Sequence, residues 1–322
     1  MAALRRFFNK LVRRKFPFKF IYSDKYWMTG MNSHVFPIAK YRLLYYELLR
    51  MGARKENFLE PSLISDEDLL LVHTEKYLNK LKSLNLSHTE LMTLEMPFSQ
   101  EIKDFFWRTA GGTLLAAETA LCDGTAVHIG GGFHHAFPNH GEGFCILNDI
   151  AVAVEKLKKE DRLGRAMIVD CDVHQGNGTA YIFSKKDYVF TYSIHQMDVY
   201  PSHKQESDMD VGLWSGDGDE GYLSSLNLHF PRLFEEFQPD LVIYVAGADP
   251  YENDKLGGLK LTLAGLAERD RIILKNAYRL GIPTVVVFGG GYALHLEDTV
   301  AIHINTILSA RDFFRSFVNN YS

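Results

Sequence analysis

The stretch AMIVDCDVHQGNG, residues 166–178, joins an apolar run to two carboxylates and an imidazole. The apolar run predicts a buried strand. Burying the polar residues that follow it costs hydration free energy unless a strong partner offsets that cost. With the two-residue period of a strand, Asp170, Asp172 and His174 lie on one face. Cys171 points to the other face, where core packing is favoured over metal ligation. Converging oxygen and nitrogen donors indicate a metal site, whereas an Asx-rich turn is the alternative interpretation.

Three further apolar runs end in polar or glycine-rich residues. They are followed by GGGFHH at residues 130–135, GAD at 247–249 and GGGY at 289–292. In open parallel α/β sheets, ligands bind in the crevice beyond the carboxyl ends of the strands. We therefore expect these strand ends and the 166–178 stretch to form one site.

Helical periodicity between the strands predicts the layers of the fold. Apolar residues recur at spacings of three and four over 38–51, 66–83, 100–121, 148–159, 221–237, 262–280 and 296–317. Strands and helices alternate in the second half of the chain, which predicts a mainly parallel sheet with helices on both faces. With 322 residues and 46% hydrophobic content, the chain can bury one large core. Three cysteines without a paired framework are typical of a reducing, cytoplasmic compartment.

In this order and spacing, GGGFHH, DCDVHQGNG, AGADPYENDKLGGL and GGGY resemble the zinc-dependent histone deacetylase family, over about residues 20–309. Asn177 and the LGGL run at 256–259 resemble class IV, the small single-domain branch of that family. The resemblance implies a three-layer α/β/α fold of the arginase/deacetylase type. It also implies zinc-dependent hydrolysis of N-ε-acyl-lysine in proteins or peptides.

The donor set predicts one catalytic Zn²⁺ per chain. Asp172, His174 and Asp249 would hold the ion and leave a position open for water and a substrate carbonyl. The two carboxylates and one imidazole roughly cancel the charge of the ion, so that a nearby base is useful.

The tandem histidines are the candidates for that base. The resemblance implies that His135 is the general base and that His134 mainly stabilises developing charge. Each imidazole needs a partner that fixes its tautomer, and the family motif assigns Asp170 to His134 and Asn177 to His135. An amide carries no charge, so His135 should be less basic than with a carboxylate partner. The alternative for Asn177 is a left-handed turn residue between two glycines.

Tyr292 is predicted to complete the site by donating its O–H to the oxyanion of a tetrahedral intermediate, opposite the metal. Ordinary aromatic packing is the alternative. Gly143 and Phe144 resemble the family residues that line one wall of a narrow acyl-lysine channel, and Tyr200 is predicted for the other wall.

A structural K⁺ is implied by the resemblance alone. Its ligands would be the backbone carbonyls of Asp170 and His174 and the carboxylate of Asp172, together with Ser193 and Ile194. Such an ion would raise the positive potential beside the tandem histidines.

Three other functions are compatible with parts of this pattern. Arginase-like hydrolases use two Mn²⁺ ions signalled by D-x-H-x-D, whereas this chain reads D-x-D-x-H, which indicates one metal. Acetylpolyamine amidohydrolases share the zinc chemistry and are a closer rival. A non-catalytic acyl-lysine binding module would require a missing ligand, base or tyrosine, and none is missing.

The N-terminal segment differs in charge from the rest of the chain. The first nineteen residues carry seven Lys or Arg and no acidic residue, and removing them from the net charge of −5 leaves −12. The apolar residues Leu4, Phe7, Phe8, Leu11 and Val12 fall on one helical face. We therefore expect a basic amphipathic segment, 1–18, ahead of a single catalytic domain, 19–322. The segment could serve membrane-surface binding, partner docking or self-association, mitochondrial targeting, or no purpose beyond a solvated arm. The acidic remainder argues against direct nucleic-acid binding.

Overall fold

One sheet of eight parallel strands organises the residues that the computed structural model describes, which are 16–31 and 34–321. The strands are β1 Lys19–Ile21, β2 Phe58–Leu59, β3 Thr125–His128, β4 Ala166–Asp170, β5 Val189–Gln196, β6 Met209–Leu213, β7 Leu241–Val245 and β8 Thr284–Val287. Their order across the sheet is β2-β1-β3-β8-β7-β4-β5-β6, and every neighbouring pair is parallel. The predicted mainly parallel sheet is confirmed.

Helices cover both faces of the sheet. They are α1 Ala39–Arg50, α2 Asp66–Leu69, α3 Glu75–Lys82, α4 His88–Leu94, α5 Gln100–Asp123, α6 Asp149–Lys159, α7 Asn177–Phe183, α8 Asp219–His229, α9 Arg232–Phe237, α10 Leu263–Arg279 and α11 Leu296–Tyr321. Alternate residues of β4 enter two separate cores, with Met167 and Val169 in one and Ala166 and Ile168 in the other. The fold is therefore the three-layer α/β/α arrangement of the arginase/deacetylase type, as predicted.

Two of the predicted helices are each divided in two. The 66–83 segment breaks after α2, because the Thr74 hydroxyl accepts the Tyr77 N–H and begins α3 as a new helix. The 221–237 segment breaks at Pro231, whose ring disfavours a helical residue before it. Asn177 is the first residue of α7 rather than a left-handed turn residue.

The described chain begins inside the packed domain. Phe16 and Phe18 are both buried, and the ring centroid of Phe18 lies 5.5 Å from that of Phe20 and 6.2 Å from that of Phe314. These two residues of the predicted N-terminal segment thus pack with the α/β domain. The apolar stripe predicted between Leu4 and Val12 lies outside the described residues.

In the described part of the chain, none of the helices has the length and hydropathy needed to cross a bilayer. All three cysteines are unpaired, with Cys122 exposed and Cys145 and Cys171 buried.

Candidate active site

The polar residues after β4 converge with those that follow its neighbours in the sheet. β4 ends at Asp170, so Asp172 and His174 lie in the turn beyond the strand rather than on it. Cys171 lies on the opposite side of this turn from the site, where its thiol meets the hydroxyl of Tyr222. The strand period therefore predicts the correct directions, although the strand itself is shorter than predicted.

Asp172, His174 and Asp249 form a buried donor cluster. One donor atom from each residue lies within 4.8 Å of the others. The Nδ1 atom of His174 lies 3.1 Å from Asp172 Oδ1 and 3.3 Å from Asp249 Oδ2. Burial, followed by the charge of Asp172, raises the pKa of Asp249. Two buried carboxylates held this close are stabilised by a cation, so this donor set fits a metal ion.

Backbone groups hold these carboxylates in place. The N–H of Gly290 donates to Asp172 Oδ2 at 2.5 Å, and the N–H of Val173 donates to Asp249 Oδ1 at 2.9 Å. A Cβ atom on Gly290 would collide with the Asp249 carboxylate, so only glycine fits there. Among the described residues, Asp249 Oδ2 is buried without a well-formed hydrogen bond, which leaves this oxygen available to a metal.

The tandem histidines lie beside this cluster with different partners. His134 Nδ1 lies 2.7 Å from Asp170 Oδ2, and His135 Nδ1 lies 2.7 Å from Asn177 Oδ1. Both partners accept hydrogen bonds, so both Nδ1 atoms carry protons and the Nε2 atoms, 3.1 Å apart, face each other. Burial opposes protonation of His134, but Asp170 and Asp172 outweigh it and raise its pKa to about 9. Burial and the neighbouring imidazoles lower the pKa of His135. At neutral pH, His135 is the imidazole that can accept a proton.

Glu142 is a site residue that the sequence did not predict. Its Oε1 accepts from Asn177 Nδ2 at 2.6 Å and from the Tyr200 hydroxyl at 2.7 Å. A carboxylate therefore lies directly behind the neutral amide that holds His135. No spacing rule joins Glu142 to Asn177, and the only available signal was its place in the GEGF run beside the predicted channel residues.

Tyr292 lies at the mouth of the donor cluster on the segment after β8. Its backbone N–H donates to Asp254 Oδ2 at 2.6 Å, and Asp254 Oδ1 accepts from the N–H groups of Leu256 and Gly257. Burial raises the pKa of Tyr292, so its phenol stays protonated and can donate a hydrogen bond. Asp254, which the sequence did not single out, fixes this segment.

The predicted channel residues surround an open cavity above the cluster. Phe144 has a left-handed backbone with φ of 67°, and its ring centroid lies 6.1 Å from that of Tyr292. The ring centroid of Tyr200 lies 4.9 Å from that of His135. The outer cavity has a volume of about 170 Å³ and is lined by Glu95, His135, Gly143, Phe144, His174, Val199, Tyr200, Leu256 and Tyr292. The inner cavity, which reaches Asp172 and Phe133, measures only about 20 Å³.

The residues predicted for K⁺ extend from the donor cluster to the neighbouring strand β5. Asp170 on β4 pairs in register with Ser193 on β5, and Ile194 is buried beside it. The Ser193 hydroxyl contacts His195 Nδ1 at 2.9 Å. The N–H of His174 donates to Asp172 Oδ1 at 3.0 Å, which tightens the turn that carries the predicted ligands.

Two buried cations that the sequence did not predict support the segments around the donor cluster. Lys40 donates from Nζ to the Gly289 carbonyl at 2.7 Å, and burial lowers its pKa to about 8. Arg269 donates to the carbonyl of Gly247 at 2.6 Å and to that of Cys171 at 3.3 Å. These contacts join residues far apart in sequence, which is why composition and periodicity did not reveal them.

Comparison with known proteins adds independent findings. The family profile described as "Histone deacetylase domain" matches residues 34–307. The chain is 40% identical over 298 residues to an uncharacterized protein of Picosynechococcus. The alignment covers 92% of this chain and 99% of that protein. It is 34% identical over 300 residues to Histone deacetylase 2 of Arabidopsis thaliana, in an alignment that covers 89% of this chain and 78% of that protein. It is 33% identical over 250 residues to a probable deacetylase of Archaeoglobus fulgidus, in an alignment that covers 73% of this chain and 69% of that protein.

Proposed function

Because the chain belongs to the histone deacetylase family, we propose that it is a zinc-dependent hydrolase of N-ε-acyl-lysine in proteins or peptides. The observation that carries this proposal is the buried cluster of Asp172, His174 and Asp249 beside two differently partnered histidines. The class IV assignment rests on Asn177 and the LGGL run at 256–259. A cytoplasmic location is proposed from the three unpaired cysteines.

Asp172, His174 and Asp249 would hold one Zn²⁺ through two oxygens and one nitrogen. When bound, Zn²⁺ supplies Lewis-acid polarisation of the substrate carbonyl and makes a water molecule more acidic. His135 takes the proton of the attacking water at Nε2 and returns it to the leaving amine of lysine. His134, held by Asp170, stabilises the negative charge that develops beside it. The products are a carboxylate and the unacylated lysine side chain.

Tyr292 acts on the tetrahedral intermediate from the side opposite the proposed metal. Its phenol is protonated and donates a hydrogen bond to the oxyanion. Phe144 and Tyr200 flank the lysine stem with their rings, which excludes water from its methylene groups. The proposed K⁺ ligands are Asp170, Asp172, His174, Ser193 and Ile194, and this ion would add positive potential behind the donor cluster.

A substrate panel with defined metal content tests the proposal. Protein depleted of metal by a chelator should be inactive and should regain activity with one equivalent of Zn²⁺ per chain. Acyl-lysine peptides should be hydrolysed faster than acetylated polyamines. Asp249→Asn should lose zinc, whereas Asp104→Asn, on the exposed surface of α5, should retain it.

Three results would contradict parts of this proposal. A requirement for two metals per chain would favour arginase-like chemistry. Faster hydrolysis of acetylated polyamines would favour the acetylpolyamine amidohydrolase alternative. Binding of acyl-lysine peptides without turnover of any substrate would favour a non-catalytic module.

A further inference from the structure

A groove on the molecular surface between α1 and α11 lies apart from the candidate active site. It has a volume of about 390 Å³ and is lined by Leu43 and Glu47 of α1 and by Glu297, Val300, Ala301 and Ile304 of α11. None of these residues lines either cavity of the active site. Leu43 is 41% exposed, so the groove offers apolar surface to an occupant, with a carboxylate on each wall.

The described chain begins at the end of this groove. Arg311 of α11 lies over the ring of Phe16, with its guanidinium carbon 5.7 Å from the ring centroid. On a helix, Arg311 shares one face with Ala301, Ile304 and Leu308, because these residues are three or four positions apart. Phe16, the first described residue, therefore lies against the same face of α11 that lines the groove.

The length of the N-terminal segment matches this face of α11. Residues 4–15 would span about 18 Å as a helix, the same length as the twelve residues 300–311 of α11. Starting from Phe16 at the level of Arg311, such a helix brings Leu4, Phe7 and Phe8 to the level of Val300 and Ile304.

The charges are complementary as well. Within the described residues, no basic side chain forms an ion pair with Glu297, and Glu47 pairs with Arg50 of its own helix. The segment supplies basic residues at 5, 6, 10, 13, 14 and 15 and no acidic residue. An isolated helix of this length is marginal in water, so it needs an apolar surface on which to order.

We propose that residues 4–15 dock as an amphipathic helix into the α1–α11 groove of the same chain. The apolar stripe faces Leu43, Val300 and Ile304. The basic residues that flank the stripe reach Glu47 and Glu297.

Cysteine pairs in the full chain test this arrangement. Phe8→Cys combined with Ala301→Cys, in a Cys122→Ser background, should form an intrachain disulfide under mild oxidation, detected by peptide mass spectrometry. Arg6→Cys with Ala301→Cys is the matched control, because Arg6 lies at a similar level on the opposite face of the predicted helix. This control pair should not cross-link.

Hydrogen exchange gives a second measurement that needs no cross-link. Phe8→Ser should make the amides of residues 297–305 exchange several-fold faster than in the unmodified protein, whereas Arg6→Ser should not.

A disulfide between two chains would instead place the segment on a second copy. Binding of anionic phosphatidylserine vesicles that depends on Phe8, with no intrachain disulfide in their absence, would place it on a membrane. Equal exchange in all three proteins together with no cross-link would leave the groove uncovered. Each of these three results overturns the proposal.

Discussion

Glu142 influences the proposed base without touching it. Its carboxylate accepts from the Asn177 amide, which in turn accepts from His135 Nδ1, and so it fixes the orientation of that amide. The negative charge of Glu142 beside the Asn177 amide nitrogen also increases the partial negative charge on the amide oxygen that accepts from His135. His135 thus receives part of the support that a direct carboxylate partner would give it.

We expect Glu142→Gln to lower kcat by roughly 10- to 100-fold with a smaller change in KM, because it weakens a partner that orients the base. Glu95→Gln is the matched control, since Glu95 lines the same outer cavity but does not contact Asn177 in the described structure. Steady-state kinetics on an acetyl-lysine peptide measures both variants. Asn177→Asp added to Glu142→Gln should recover activity. Equal effects of Glu142→Gln and Glu95→Gln would refute the positioning role.

Tyr292→Phe should keep zinc and the fold but lower kcat by about 10²- to 10³-fold, the cost of one oxyanion donor. Tyr46→Phe, on an exposed part of α1, should leave kcat within a few-fold of normal. Single-turnover kinetics and bound-zinc analysis separate the chemical step from metal loss. Near-normal turnover of Tyr292→Phe would require another oxyanion donor.

At the scale of secondary structure, the sequence predicts the elements with long periodic patterns and misses those set by distant contacts. β4, β7 and β8 carry continuous apolar runs, so their ends and the donors after them could be predicted. β1 and β2 have three and two residues, too few for any period to be visible. Glu142 and Arg269 have no motif of their own, and Asp254 lies inside the AGADPYENDKLGGL run without a spacing that marks its role. The roles of all three depend on contacts that form only in the folded chain.

Helix α10 links the two segments that carry the proposed metal donors. Arg269 is fully buried, is paired with Asp270 at 2.9 Å, and donates to carbonyls on both segments. Arg269→Met should lower the free energy of unfolding by about 3–5 kcal/mol, because it leaves Asp270 buried without its cation. It should also weaken zinc affinity by roughly 10- to 100-fold.

Arg271→Met is the control on the same helix, where Arg271 is exposed and pairs only with Glu268. It should change the stability by about 0.5 kcal/mol or less. Chelator competition measures zinc affinity and urea titration of the metal-free protein measures stability. Normal zinc affinity in Arg269→Met would mean that these hydrogen bonds serve packing alone.

Across the whole molecule, the packing of the core encloses histidines that must stay neutral. His73 bridges the Phe137 carbonyl and the Asn148 N–H, and His128 contacts the Tyr26 hydroxyl at 2.7 Å. Burial lowers the pKa of His73 to about 4 and that of His128 to about 3, and it also lowers the pKa of His303. The unfolded chain therefore binds protons at these sites that the folded chain does not bind.

This difference predicts acid sensitivity with a definite sign. Above pH 7 these imidazoles are neutral in both states and add no pH dependence. As the pH falls below about 6.5, only the unfolded state becomes protonated, so stability decreases until the folded pKa is reached near 4 for His73. The contribution of His73 over this window is on the order of 3 kcal/mol.

His73→Gln can keep both hydrogen bonds, so it should reduce the loss of stability between pH 7.5 and 4.5. His88→Gln, on the surface of α4, should not reduce it. Urea unfolding across this range measures both variants against the unmodified protein, and an equal pH dependence for His73→Gln and His88→Gln would show that the acid sensitivity has another source.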